Sequence, residues 1–266
     1  MTDLENKHYP NVRQSFGITG IMILASILFT PLNIILSKFI DGETSQFIYY
    51  LFAIGITFWI VYSIRKRKTN SVTFNFKIDN KRIIPFVIIG AIALLLGIIS
   101  PISALIPMPE LIKKEFASLG NQTGLSSFLL MVITAPILEE LIFRGIMLDG
   151  LLKNYSPVKS ILISSLLFGL VHLNPWQFVA GLFLGAFIGW IYYKTKSLSF
   201  AIIIHATVNS TGYLTRCFYD FDYSSMNKTL VESYGGILNL VFAIAGFISI
   251  FAISTYYLKK EFKKII

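Results

Sequence analysis

Charge is scarce in this chain. Only 14% of its 266 residues are Asp, Glu, Lys or Arg, and 55% are hydrophobic. A soluble domain carries about 25% charged residues, so a water-soluble globule is excluded and the rules of the bilayer govern the fold. Cysteine is all but absent: the single Cys217 excludes an intramolecular disulfide and a cysteine-based metal site. There is no internal repeat and no low-complexity tract. The short zinc signature His-Glu-x-x-His is missing too. A cleavable leader is not expected, because sixteen polar-leaning residues precede the first apolar run and no small-x-small pattern follows a short apolar core.

What the chain does have is a series of apolar runs of about 17–25 residues without period-2 alternation, which reads as helices rather than barrel strands. They fall near 17–37, 47–64, 83–106, 125–148, 158–173, 176–193, 198–215 and 237–258. The expected fold class is all-α, a polytopic transmembrane helical bundle of about eight spans, with 1–266 as a single integral-membrane domain embedded in the lipid bilayer. The net charge of +9 does not point to nucleic acid, because the basic residues lie in short loops between spans. With the N-terminus inside, 17 of the 23 Lys and Arg fall in inner segments and 5 in outer ones, Arg144 being the remaining one. That asymmetry predicts both termini cytoplasmic, with Arg65-Lys66-Arg67-Lys68 as a topology anchor. Short loops and the lack of organelle signals suggest a bacterial plasma membrane.

Spans five and six are short and nearly abut, so their turn is expected to dip below the surface, where irregular backbone must line protein or a cavity. Gly181, Gly185 and Gly189 repeat every four residues and allow a neighbouring helix to approach closely. The segment 108–124 reads as an amphipathic piece on the outer face.

An ionisable residue at membrane depth marks a candidate functional site. Glu139, Glu140 and Arg144 lie on the fourth span. His172 ends the fifth, and His205 and Asn209 lie on the seventh. Residues four apart share a helix face, so Glu140 pairs with Arg144 while Glu139, rotated by about 100°, is left to face a cavity. A desolvated carboxylate suits general-base work. The His205–Asn209 face offers donors of the kind that stabilise an oxyanion. This set supports hydrolysis of an acyl bond by an activated water and offers no obvious nucleophile. Glu139, His172 and His205 equally make a zinc set, two imidazoles and one carboxylate. A zinc-activated and a carboxylate-activated water both remain open. So do two other classes, an ion- or proton-coupled transporter and a non-catalytic membrane immunity or scaffold protein.

Glu139-Glu140-x-x-x-Arg144, Phe168-x-x-x-His172 and His205-x-x-x-Asn209, in this order and on these spans, resemble the CPBP (Abi) family of intramembrane proteases, which includes the type II CAAX prenyl endopeptidases. The resemblance covers about 120–215, the motif-bearing core. It implies an intramembrane endopeptidase acting on a peptide or protein substrate of the CAAX, bacteriocin or signal-peptide kind. Carried across, Glu139 and His172 activate water, His205 and Asn209 form the oxyanion hole, and Glu140 and Arg144 support them. The family's metalloprotease label leaves zinc open. One difficulty is visible in advance: on these boundaries Glu139 lies about 20 Å inward from the start of its span while His172 lies toward the outer face. The two meet only if the helices are offset or the following turn dips inward.

Overall fold

The computed structural model describes residues 8–70, 72–219 and 227–264. Lys7, one of the inner basic residues counted above, lies outside them. Among the described residues there are helices and no strands. We number the principal rods α1 (Val12–Leu36), α2 (Gly42–Thr69), α3 (Lys81–Ala104), α4 (Glu110–Gly120), α5 (Leu125–Asn154), α6 (Pro157–Leu170), α7 (Pro175–Thr195), α8 (Leu198–Phe218) and α9 (Ile237–Phe262). All eight expected spans coincide with rods, and α4 is the amphipathic extra. The chain is an all-α integral membrane protein.

Six rods, namely α1, α2, α3, α5, α7 and α9, are long and apolar enough to cross a membrane. The other two differ for physical reasons. α6 is only 14 residues long. α8 has 21 residues but carries His205, Thr207, Asn209, Ser210 and Thr211, too many polar groups to face lipid.

Local chemistry sets the ends. Asn11 opens α1 with a capping box, and Asp41 and Asn174 cap α2 and α7 by accepting from the backbone N–H three residues on. Asn70, left-handed at φ 57°, closes α2. The fifth span ends sooner than its apolar run, which continues to 173. Leu173 turns left-handed at φ 55°, and Asn174 then starts α7.

Two apolar clusters carry the packing. One joins α1, α2, α5 and α6 through residues such as Val61, Phe143, Met147 and Phe168. The other joins α3, α7, α8 and α9 through Val87, Phe187, Phe200 and Leu258. Outward faces of α1 and α9 expose Leu28 (74%) and Phe242 (73%), as lipid-facing surfaces do. Of the basic run at the end of α2, Lys66, Arg67 and Lys68 are exposed. Arg65 departs from the topology-anchor reading: it is buried, because its guanidinium is held by Asp149 and by the carbonyls of Gly145 (2.6 Å) and Ile146 (3.2 Å) on α5.

The glycine row of α7 lies against α6. A Cβ at Gly181 would sit 2.6 Å from Gly169 Cα, at Gly185 3.1 Å from Ser165 Cα, and at Gly189 3.1 Å from the Ile161 side chain. The backbones approach this closely because both sides are stripped of bulk. Gly181→Ala is therefore expected to destabilise the protein by about 1–3 kcal/mol through overpacking. Gly55→Ala, with nothing within 4 Å of the added carbon, is expected to be close to neutral. Thermal unfolding of both variants in detergent micelles checks the contrast.

Candidate active site

The fourth span is not a uniform α-helix. Two wide, π-helical stretches, Leu129–Thr134 and Leu141–Leu148, flank the six α-helical residues Ala135–Glu140. Such turns leave carbonyls short of their usual donors, and they recur at functional sites. Side chains from other rods meet them here. Asn209 Nδ2 donates to Met131 O at 2.8 Å, Ser164 Oγ to Phe143 O at 3.3 Å, and Arg65 to Gly145 O and Ile146 O. The paired glutamates thus sit on a short segment secured at both ends.

Glu140 and Arg144 are fully buried and joined at 3.0 Å between Oε1 and Nη1. Arg144 also donates to Gly185 O at 3.2 Å and lies over the Phe168 ring, 4.5 Å from its centroid. The same Glu140 oxygen accepts from His205 Nδ1 at 2.9 Å. One buried carboxylate thereby draws α5, α7 and α8 together, and the Phe168 face brings in α6.

Glu139 is 7% exposed and has different company. Its Oε1 accepts from the Tyr50 hydroxyl of α2 at 2.6 Å. Its Oε2 stands 3.9 Å from His205 Nε2, beyond hydrogen-bond length yet close enough for a water to touch both.

His172 sits in the turn after α6. Its Nδ1 is 2.9 Å from Phe168 O. A carbonyl only accepts, so Nδ1 carries the proton and Nε2 holds the free lone pair in the neutral ring. The Phe168 ring stands edge-to-face with both imidazoles, 5.5 Å from His172 and 5.6 Å from His205. His172 therefore joins the cluster through an aromatic ring, and no hydrogen bond ties it to Glu139 among the described residues. The turn that carries it is covered by protein: Trp176 Nε1 donates to Ile106 O at 3.1 Å, and Trp176 stacks edge-on against Phe116 of α4.

Of the six sequence candidates, Glu139, Glu140, Arg144 and His205 thus form one buried polar cluster. His172 and Asn209 border it, through Phe168 and through the first wide stretch of α5. The three-residue zinc set is not assembled. Among the described residues no three His, Cys, Asp or Glu side chains stand together as a metal-binding group. No step below passes through a metal. Tyr50 was missed in the sequence. Its only signal was a phenol inside an apolar run, which needs a partner when buried.

Residues 121–211 match the family model described as "Type II CAAX prenyl endopeptidase Rce1-like". That match spans about a third of the chain and takes in the stretch that carries the motifs. The Rce1-like segment holds five of the six candidates on α5 and α8 together with the sixth, His172, in the turn between α6 and α7. The chain is also 33% identical over 78 residues to "Putative membrane peptidase YdiL" of Bacillus subtilis (strain 168). That match covers 29% of this chain and 32% of the relative, so the two share about a third of their length. No solved structure matches.

Breaking the central ion pair from one side strands a charge. Arg144→Met is expected to cost about 3–5 kcal/mol, because Glu140 stays buried without its cation. Adding Glu140→Gln should recover a large part of that loss. Unfolding of both single variants and the double variant in mixed micelles, analysed as a double-mutant cycle, tests the coupling.

Proposed function

We propose that this chain is an intramembrane endopeptidase that hydrolyses a peptide bond near the membrane face. The observation that carries the reading is Glu139: a buried carboxylate inside the Rce1-like segment, with one oxygen held by Tyr50 and the other turned toward an imidazole. The neighbouring Glu140 already has Arg144 and His205 as partners, so the two acids differ in environment and therefore in role.

In this mechanism a water hydrogen-bonded to Glu139, and to the free Nε2 of His172, loses a proton to the carboxylate. The hydroxide adds to the scissile carbonyl carbon, and the carbonyl oxygen takes the negative charge. Asn209 has a second amide N–H beyond the one given to Met131, and that N–H is available to the oxyanion. His205 offers Nε2. Its Nδ1 faces a carboxylate that only accepts, so Nε2 donates in the doubly protonated ring and accepts in the neutral one. Protonated Glu139 then returns its proton to the leaving amine, the C–N bond breaks, and one fragment leaves with a free amine and the other with a new carboxyl group. His172 needs to move toward Glu139, or reach it through water, for its lone pair to take part.

The substrate class this implies is a peptide presented at the membrane, either a CAAX-type C-terminus or a bacteriocin or signal-peptide precursor. Mostly short loops favour a plasma-membrane protein, and the basic inner segments favour both termini in the cytoplasm. Glu139→Gln and His172→Ala are each expected to lower cleavage by about 100- to 10,000-fold, the range of a lost general acid–base group, while the protein stays in the membrane. Asn209→Ala is expected to cost about 100- to 1,000-fold as a lost oxyanion donor. Comparing peptides in membranes that carry the native chain or each variant provides the test. Native-like processing by Glu139→Gln would refute the reading.

A further inference from the structure

Tyr50 lies far outside the Rce1-like segment, 89 positions before Glu139, yet it makes the shortest contact to that carboxylate, 2.6 Å. Its approach is not incidental. α2 runs parallel to α5 and is tied to it near both ends. Thr44 Oγ1 and Ser126 Oγ stand 2.8 Å apart at one end. At the other, Arg65 holds Asp149 and the carbonyls of the second wide stretch. At Gly124, just before α5, an added Cβ would lie 2.4 Å from Glu43, so the start of α2 is pressed against the start of α5 as well. These ties set the register of the two rods and bring the phenol to Glu139.

From this geometry we infer that Tyr50 is a positioning residue for the peptidase reaction proposed above, acting through Glu139. A carboxylate on three rotatable bonds has no reason to aim at a water unless one oxygen is fixed. The Tyr50 O–H donates to Oε1 and leaves Oε2 on the side of His205 Nε2. The choice of a phenol also matters chemically. A cation in that place would neutralise the carboxylate, as Arg144 does for Glu140. A neutral donor orients Glu139 and supplies no counter-charge. The two adjacent acids are thereby divided by partner type, cation for one and phenol for the other.

Since the inference rests on the peptidase reading, the experiment separates the two. The full chain in proteoliposomes is compared with Tyr50→Phe, Glu139→Gln and a variant carrying 4-aminophenylalanine at position 50, which keeps the ring and a neutral N–H donor. The Glu139 carboxylate stretch, isolated as the infrared difference between each chain and its Glu139→Gln counterpart, reports orientation without any substrate. It is expected to shift in Tyr50→Phe and to return with 4-aminophenylalanine. With a prenylated CAAX-type peptide as probe, Tyr50→Phe is expected to lower kcat by about 10- to 100-fold, the worth of one hydrogen bond to a charged group, with KM little changed. 4-Aminophenylalanine should restore most of it. An unshifted carboxylate band, or a change in KM alone, overturns the Tyr50 inference while leaving the peptidase reading intact. Cleavage that survives Glu139→Gln overturns the reading itself, and the infrared band then still decides whether Tyr50 holds the carboxylate.

Discussion

The ion pair between Glu140 and Arg144 is the constraint around which this interior is built. Both side chains are completely buried. Removing two such charges from water costs several kcal/mol each, and the pair alone repays it only with good geometry and further hydrogen bonds. Part of that comes from three rods, an imidazole on α8, a backbone carbonyl on α7 and an aromatic face on α6, while Glu140 Oε2 and Arg144 Nε have no hydrogen-bond partner among the described residues. The carbonyl belongs to Gly185, one of the glycines that let α6 and α7 touch backbone to backbone. Helix packing and charge burial are thus one arrangement. The close α6–α7 contact is what places an acceptor and a π-face where the guanidinium needs them.

Glu139 gains its distinctness from that same pair. With Glu140 committed to a cation, the adjacent acid is the one left with a neutral donor and an imidazole beyond hydrogen-bond reach. Neighbours in sequence point about 100° apart on a helix, so a single short α-helical segment presents one carboxylate to a closed polar core and the other toward the Tyr50 hydroxyl and the far side of His205. The flanking wide stretches isolate that segment, and donors from α2, α6 and α8 satisfy their carbonyls.

The rods were legible because apolar length is a local property. The facing of Glu140 and Arg144 was legible for the same reason, since four residues along a helix return to one side. What could not be read was anything depending on register between rods far apart in sequence. Tyr50 and Glu139 are one example, Arg65 and Asp149 another. Arg65 sits in a run of four basic residues, and counting charges treats all four alike. Only the packing of α2 against α5 separates the buried one from its three exposed neighbours. The end of α6 was misjudged because the apolar run continues through Leu173, while the left-handed backbone there follows from the turn and from Asn174, not from hydropathy.

The short segment between the two wide stretches of α5 makes the length of that rod unforgiving. Taking one residue out of 135–138 would swing everything after it by about 100° relative to what came before. Arg65 and Ser164 would lose the carbonyls they grip on the second wide stretch, and the tandem acids would turn away from phenol and imidazole unless α2 and α8 followed. The spacing between Ser126 and Asp149, the two points where α2 is anchored, therefore works as a gauge. It admits substitutions along the rod far more readily than a change in the number of residues.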